Sequence, residues 1–300
     1  METKDNNLQT LLSEARGISA KVTDARVKVC TEFQRQYGKF RKGAAYNSIG
    51  VKYVHGGFSI KMFDTQIPIT WQVYDYKDNN VFAMSDTGGT GGQLLHNQDN
   101  TYSLTFWTDC IAGEIDMGKV AEVIQHELSH YWEKLNYGKF YQGMNRYEDA
   151  TGSLMGSSNK YMRYIGNIFY MYKRFEDRAY GNGAYAFLMS CNDRENVKLN
   201  IQRTELYGAK VTLEKELAEL KGLGREGSKN NADARTAFSY IKVKYNMSYR
   251  NLIKLGERTI SYLDYVIGRT MRQVEDDIAK EKMERSVFYP FKNMFNKFKR

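Results

Sequence analysis

Val123-Ile124-Gln125-His126-Glu127-Leu128-Ser129-His130-Tyr131-Trp132 is the stretch on which the reading of this chain turns, because it carries the pattern H-E-x-x-H. On an α-helix, residues four apart lie one above the other on a single face. His126 and His130 can therefore aim two imidazoles at one point, with Glu127 beside them. Neutral imidazole nitrogen suits Zn²⁺, and a catalytic zinc keeps three protein ligands and one open position. The stretch supplies two ligands of such a centre and a carboxylate placed to exchange a proton next to it.

The flanks favour a helix. Asp116 is a fitting N-cap; Val120, Val123, Ile124, Leu128, Tyr131 and Leu135 follow at three- and four-residue steps; and Gly138 supplies a C-terminal stop. On this phasing Glu122, Ser129 and Glu133 form the more polar side.

From about Ile115 to Tyr137 the sequence resembles the active-site helix of the zincin metallopeptidases, whose motif is H-E-x-x-H. It does not match the metzincin extension H-E-x-x-H-x-x-G-x-x-H. Glu133 and Asn136 occupy the extra positions, and no histidine follows His130. The resemblance is thus to the gluzincin-like arrangement, and it implies a Zn²⁺ cofactor, a peptide or protein substrate and a third ligand that is a carboxylate from a later helix. It also implies Glu127 as general base, then acid.

Lys160 to Tyr180 reads as one long helix with an apolar stripe of Tyr161, Ile165, Ile168, Phe169, Tyr172, Phe175 and Ala179. Glu176 projects from that apolar side, where an ionised carboxylate needs a cation or a metal. Asp177 follows Lys173 and Arg174 and reads as a solvated surface charge. Glu176-x-x-Ala179 also resembles the third-ligand helix of several gluzincin-like families, which makes Glu176 the preferred ligand. Glu148 and Asp149 compete on sequence spacing, but Gly143, Gly152 and Gly156 around them read as a loop. His96 is the remaining histidine with any claim to be a third ligand. For the oxyanion that forms as water adds to a carbonyl, Tyr180, Tyr185 and Arg178 are the candidates.

Composition sets the outer limits. The chain has 300 residues, 42% hydrophobic and 26% charged, ordinary for a globular protein able to bury a core. The net charge of +9 suits an acidic partner, nucleic acid or an anionic membrane. Met1-Glu2-Thr3-Lys4-Asp5 opens without the apolar run of a secretory signal, and no apolar run is long enough for a membrane span. Cys30, Cys110 and Cys191 are odd in number and far apart, which reads as free thiols. A cytoplasmic location is the expectation.

Around the motif, the chain reads as follows. Asn7 to about Phe40 has helical periodicity, with Gly17 a candidate break. From Ser48 the period falls to two. Val51 to His55, a turn at Gly56-Gly57, Phe58 to Met62, Ile67 to Val73, Val81 to Met84 and Tyr102 to Phe106 read as a meandering sheet. If the zincin resemblance holds, Thr101 to Thr108 is the edge strand that pairs with an extended substrate. Asp86-Thr87-Gly88 lacks both the second copy and the preceding apolar residue of an aspartic protease, and reads as a turn. The glycine run from Gly88 to Gly92 lacks the Gly-Lys-Ser/Thr ending of a P-loop and reads as a flap-like loop. Gly181-Asn182-Gly183 reads as a break before the apolar stretch Ala184 to Met189. Asn196 to Lys221, Ala232 to Tyr245 and Ser248 to Arg285 read as helices, with Gly222 to Asn231 a connector.

After Pro290, Phe291, Met294, Phe295 and Phe298 share a helical face among basic residues. Such a tail suits an anionic membrane surface, nucleic acid or an acidic protein, or folds back through its phenylalanines.

The expected fold is α+β: a zincin-like catalytic unit with a small, mostly antiparallel sheet, an active-site helix and a third-ligand helix, plus additional N- and C-terminal helices. Residues 1–45 are expected to form a helical arm, 46–190 the metallopeptidase domain and 191–300 a helical region with the basic tail. The expected site is His126, His130 and Glu176 for zinc, with Glu127 and Tyr180 in the chemistry. The alternative is a non-catalytic protein of the same fold that contacts nucleic acid or a protein assembly through its basic helical region.

Overall fold

The structure is a computed structural model. It describes the backbone of residues 2–48, 50–62, 64–77, 89–99, 101–144 and 148–297, and within these the side chains outside 2–20, 137–150, 174–175, 225–229 and 284–297. The protein is α+β, with a small mixed sheet and a majority of helix.

Helix α1 (Glu2–Arg41) runs unbroken through Gly17. Val22, Ala25, Val29, Phe33 and Tyr37 recur at three- and four-residue steps and are all buried. They cover one face of a sheet built from β1 (Val51–Met62), β2 (Thr65–Tyr76), β3 (Gly91–His96), β4 (Tyr102–Ile111) and β5 (Glu114–Ile115). Alternate residues of β2 and β4, namely Ile67, Ile69, Trp71, Val73, Leu104, Phe106 and Cys110, face this core. Phe33 meets Trp71 and Phe106 edge-on at 5.3 and 5.1 Å between centroids. Such contacts add about 0.5–1.5 kcal/mol each beyond area burial.

The strand order is β1-β2-β4-β3, with β5 on β4. Three of the ladders are antiparallel and the central β2–β4 ladder is parallel. The sheet is therefore not a meander, because β4 inserts between β2 and β3. As a result the expected substrate edge is misassigned: β4 is paired on both sides, and β3 is the edge strand on that flank. Gly56 and Gly57 do not turn the chain either. They continue β1 opposite Trp71 and Thr70, and the reversal falls between Met62 and Thr65, where Asp64 has a φ of 63°. Gly91 and Gly92 belong to β3, not to a loop. The expected strand at 81–84 and the turn at Asp86-Thr87-Gly88 lie outside the described residues.

The chain continues in α2 (Met117–Met144), α3 (Glu148–Met155), α4 (Lys160–Met171), α5 (Arg174–Ser190), α6 (Val197–Asn200), a 3₁₀ turn at Ile201–Arg203, α7 (Glu205–Asn230), α8 (Ala232–Tyr245) and α9 (Tyr249–Lys297). Asp116 caps α2 as expected, its Oδ1 accepting the Lys119 N–H at 3.1 Å. Gly138 does not end α2. Glu148 and Asp149 open a helix, not a loop.

The expected single helix from Lys160 to Tyr180 is two. Tyr172 closes α4, Lys173 adopts an extended ψ of 113°, and α5 starts afresh. Gly181 and Gly183 do not break α5. The expected connector at 222–231 is mostly helical, with α7 bent at Gly224, whose φ of 59° is one that glycine tolerates.

Two hydrophobic cores result. One joins α1, the sheet and the sheet-facing side of α2; the other gathers α4, α5 and α6 to α9. All three cysteines are free. Among the described residues no helix is long and apolar enough to cross a membrane. The backbone at 291–297 continues α9, and the side chains of the basic tail lie outside the described residues.

The first core is locked by a buried charge. Asp75 is fully buried, accepts hydrogen bonds from the Tyr37 and Tyr46 hydroxyls at 2.8 and 3.2 Å, and pairs with Arg41 Nε at 3.3 Å and Lys52 Nζ at 3.6 Å. Lys52 is itself buried and donates to the Arg41 carbonyl at 2.9 Å. This network ties the end of α1 to β1 and β2. Replacing Asp75→Ala strands a buried ammonium, so urea unfolding should show a loss of about 3–5 kcal/mol. A loss below 1 kcal/mol would contradict this account.

Candidate metal centre

Helix α2 presents His126, Glu127 and His130, and the first turn of α5 presents Glu176. The two Nε2 atoms are 3.0 Å apart, and Glu176 Oε2 lies 3.6 Å from His126 Nε2 and 3.3 Å from His130 Nε2. Ligands held at 2.0–2.1 Å around a tetrahedral zinc are about 3.3 Å from one another by simple trigonometry. The three atoms thus have the mutual spacing a single small cation requires, and among the described residues they form the one group of this kind.

The electrostatics agree with the donor chemistry. His126 is 7% exposed, and burial, reinforced by His130, pushes its pKa down to about 3, keeping the ring neutral as a ligand must be. Burial opposes charge on His130 too, but hydrogen bonding and attraction to Glu176, with Glu127 and Glu133 behind it, raise its pKa. Burial also opposes charge on Glu176, yet His130, His126 and the Tyr170 hydroxyl outweigh it and hold the carboxyl below its ordinary range. The arrangement favours positive charge between the three ligands.

Two carboxylate positions are fixed by neighbours that sequence spacing does not reveal. The Tyr170 hydroxyl, at the end of α4, donates to Glu176 Oε2 at 2.8 Å across the break between the helices. Glu127 Oε2 accepts the backbone N–H of Leu94 in β3 at 2.9 Å. Burial raises the Glu127 pKa, opposed by His130 and this N–H. A raised carboxyl suits a group that must both take and return a proton.

Close approach to α2 from both sides depends on glycine. A Cβ on Gly183 of α5 would sit 2.9 Å from the Glu122 carbonyl and 3.5 Å from His126 Cβ; one on Gly92 of β3 would sit 3.2 Å from Glu127 Cγ. Asn182 Nδ2 donates to Ser129 Oγ at 3.1 Å, and Arg178 Nε pairs with Glu133 Oε1 at 2.9 Å. The side of α2 that reads as polar is therefore buried: Glu122, Ser129 and Glu133 are covered by α5 and α7, while Leu135 is exposed. Asp177, expected at the surface, is buried as well.

Of the three oxyanion candidates only Tyr180 reaches the site, its ring edge-on to His126 at 4.6 Å and its hydroxyl interacting with that of Tyr170. Tyr185 donates to Asp277 at 2.9 Å, and Arg178 is engaged by Glu133. His96 stacks on Tyr102 at 4.7 Å and takes no part in the group. The side chains of Glu148 and Asp149 lie outside the described residues.

No protein-family model, curated protein or solved structure matches this chain.

Removing the Tyr170 hydroxyl leaves Glu176 without its outer hydrogen bond. Zinc titration of Tyr170→Phe should show affinity about 10-fold weaker, the low end for outer-shell losses; unchanged affinity would exclude Tyr170 from positioning the ligand. Gly183→Ala should push α5 from α2 against backbone, lowering stability to urea by about 1–3 kcal/mol. An unaltered unfolding midpoint would show that the helices are not in contact there.

Proposed function

We propose that this chain is a zinc-dependent metallopeptidase of the zincin type, gluzincin-like in its ligand set. The observation that carries the reading is the convergence of His126, His130 and Glu176 at zinc-like spacing with Glu127 beside them. A purely structural metal site has no use for an adjacent carboxylate of raised pKa held in place by a strand amide.

Zinc held by these three residues supplies Lewis acidity, which acidifies water and polarises a carbonyl. Glu127, fixed through Oε2, accepts the proton of water adding to the scissile carbonyl carbon and returns it to the amine nitrogen as the C–N bond breaks. The Tyr180 hydroxyl donates to the carbonyl oxygen as it gains charge. Because the Leu94 N–H points to Glu127, the alternation of an antiparallel strand also turns the backbone groups of Gly92 and His96 away from β4. An extended peptide laid along β3 finds these groups beside the metal ligands.

The purified protein should carry one zinc per chain and cleave members of a mixed peptide library. His126→Ala and Glu176→Ala should lose the metal, whereas the double variant Glu148→Ala/Asp149→Ala should keep it. Glu127→Gln should retain zinc and slow cleavage by about 10²–10⁴-fold. Absence of zinc under metal-replete conditions, or cleavage indifferent to Glu127→Gln, would overturn the proposal.

A further inference from the structure

A cavity of about 170 Å³ adjoins the metal group, with Tyr170 and Tyr180 of that group in its wall. Met171 and Leu213 supply apolar lining, and Asn167 of α4 and Glu216 of α7 supply polar groups. The volume is below the roughly 300 Å³ at which small-molecule pockets begin. It is close to the roughly 150 Å³ of a cavity that holds one benzene ring. It has room for a single side chain.

Glu216 is the anomalous member. Its side chain is 9% exposed, and Oε1 accepts a hydrogen bond from Asn167 Nδ2 at 2.8 Å. Oε2 is buried without a hydrogen-bond partner, and among the described residues no cation pairs with Glu216. Its neighbour Glu219 is by contrast exposed and satisfied by Lys160 and Tyr164. Burial raises the Glu216 pKa, with the Asn167 hydrogen bond opposing. A carboxylate turned into an apolar cavity with one oxygen unmatched costs free energy that a cation entering the cavity would recover.

We infer that this cavity is a specificity subsite that receives the lysine or arginine side chain of the substrate, its charged end on Glu216 Oε2. The inference rests on the metallopeptidase reading, since the shared tyrosines are what place the cavity beside the scissile bond. Met171 and Leu213 cover the methylene stem, which long cationic side chains bury readily while the head finds its partner. Asn167 holds Oε1 and so leaves Oε2 as the free acceptor.

The test has two arms, both on the zinc-loaded full chain. In the first, n-butylguanidinium and n-butylammonium are titrated by calorimetry, with n-pentanol as the neutral control. Glu216→Gln should weaken both cations by roughly 10- to 100-fold, the range for a lost hydrogen bond to a charged group, and leave n-pentanol unaffected. Ala209→Met, which fills the cavity but keeps the carboxylate, should abolish binding of all three. Circular dichroism of each variant confirms that it is folded. Cation binding that is equal in wild type and Glu216→Gln overturns the inference.

In the second arm, peptide-library cleavage should show a preference for lysine or arginine beside the scissile bond. Glu216→Gln should reduce kcat/KM for those peptides and not for peptides with leucine there. Zinc-dependent cleavage without that preference removes the subsite and leaves the metallopeptidase reading standing. Glu216-dependent cation binding without any cleavage ends the metallopeptidase reading, and with it the assignment to a substrate side chain.

Discussion

The close packing of α5 on α2 is the contact on which the rest of the molecule depends. Ligands from two different helices fall within 3.6 Å of one another only if the helices lie side by side, and Gly183 removes the side chain that would hold them apart. Polar groups along the contact are matched in pairs: Asn182 with Ser129, Arg178 with Glu133, and Glu176 with the two histidines. Each match offsets the cost of burying a polar group, and together they permit a polar helix face to stand in the interior. A displacement of one helix by an ångström would spoil ligand spacing and pairing at once.

The sheet holds α2 from the opposite side by a different kind of interaction. Val120, Ile124, Leu128 and Tyr131 share one apolar core with α1 and the strands, and the buried Asp75 network fastens α1 and the sheet to each other. Helix α2 thus has an apolar face that sets its position and a polar face that carries the chemistry. Gly92 brings β3 close enough for a backbone amide to hold Glu127. The rigid scaffold and the reactive group are one turn apart on the same helix.

The parts of this arrangement that were legible in the sequence are those encoded by local period. The spacing of His126 and His130 forecasts a shared face, alternation forecasts β1, β2 and β4, and the Asp116 cap marks the start of α2. Glu176 was found because a carboxylate among apolar residues calls for a partner, although it sits in the first turn of a new helix. What was not legible depends on contacts between distant segments. The break at Tyr172-Lys173 has neither glycine nor proline to announce it. Gly138, Gly181 and Gly183 look like stops but lie within helices; at Gly183 the reason is a tertiary contact that overrides propensity. The insertion of β4 between β2 and β3 leaves no local trace, since strand order does not alter alternation. Tyr170, six residues before Glu176 and across that break, had no spacing signal at all.

Helix α7 shows how far the second core takes part in the site. Its sequence reads as a charged cover, yet the N–H of its first residue, Glu205, donates to Glu122 Oε1 at 2.6 Å one turn before His126. The carboxylate at a helix N-terminus meets the positive end of the helix dipole, and Lys119 pairs with it at 2.9 Å. Even so, burial pushes the Glu122 pKa up to about 7, so these partners only partly offset desolvation. Three turns further on, the same helix presents Glu216 to the cavity behind Tyr170 and Tyr180. One end of α7 therefore steadies the helix that bears the histidines, and its middle forms the wall of the space beside them. The charge pattern of α7 is that of a surface helix, but two of its acidic positions are occupied by the interior of the site.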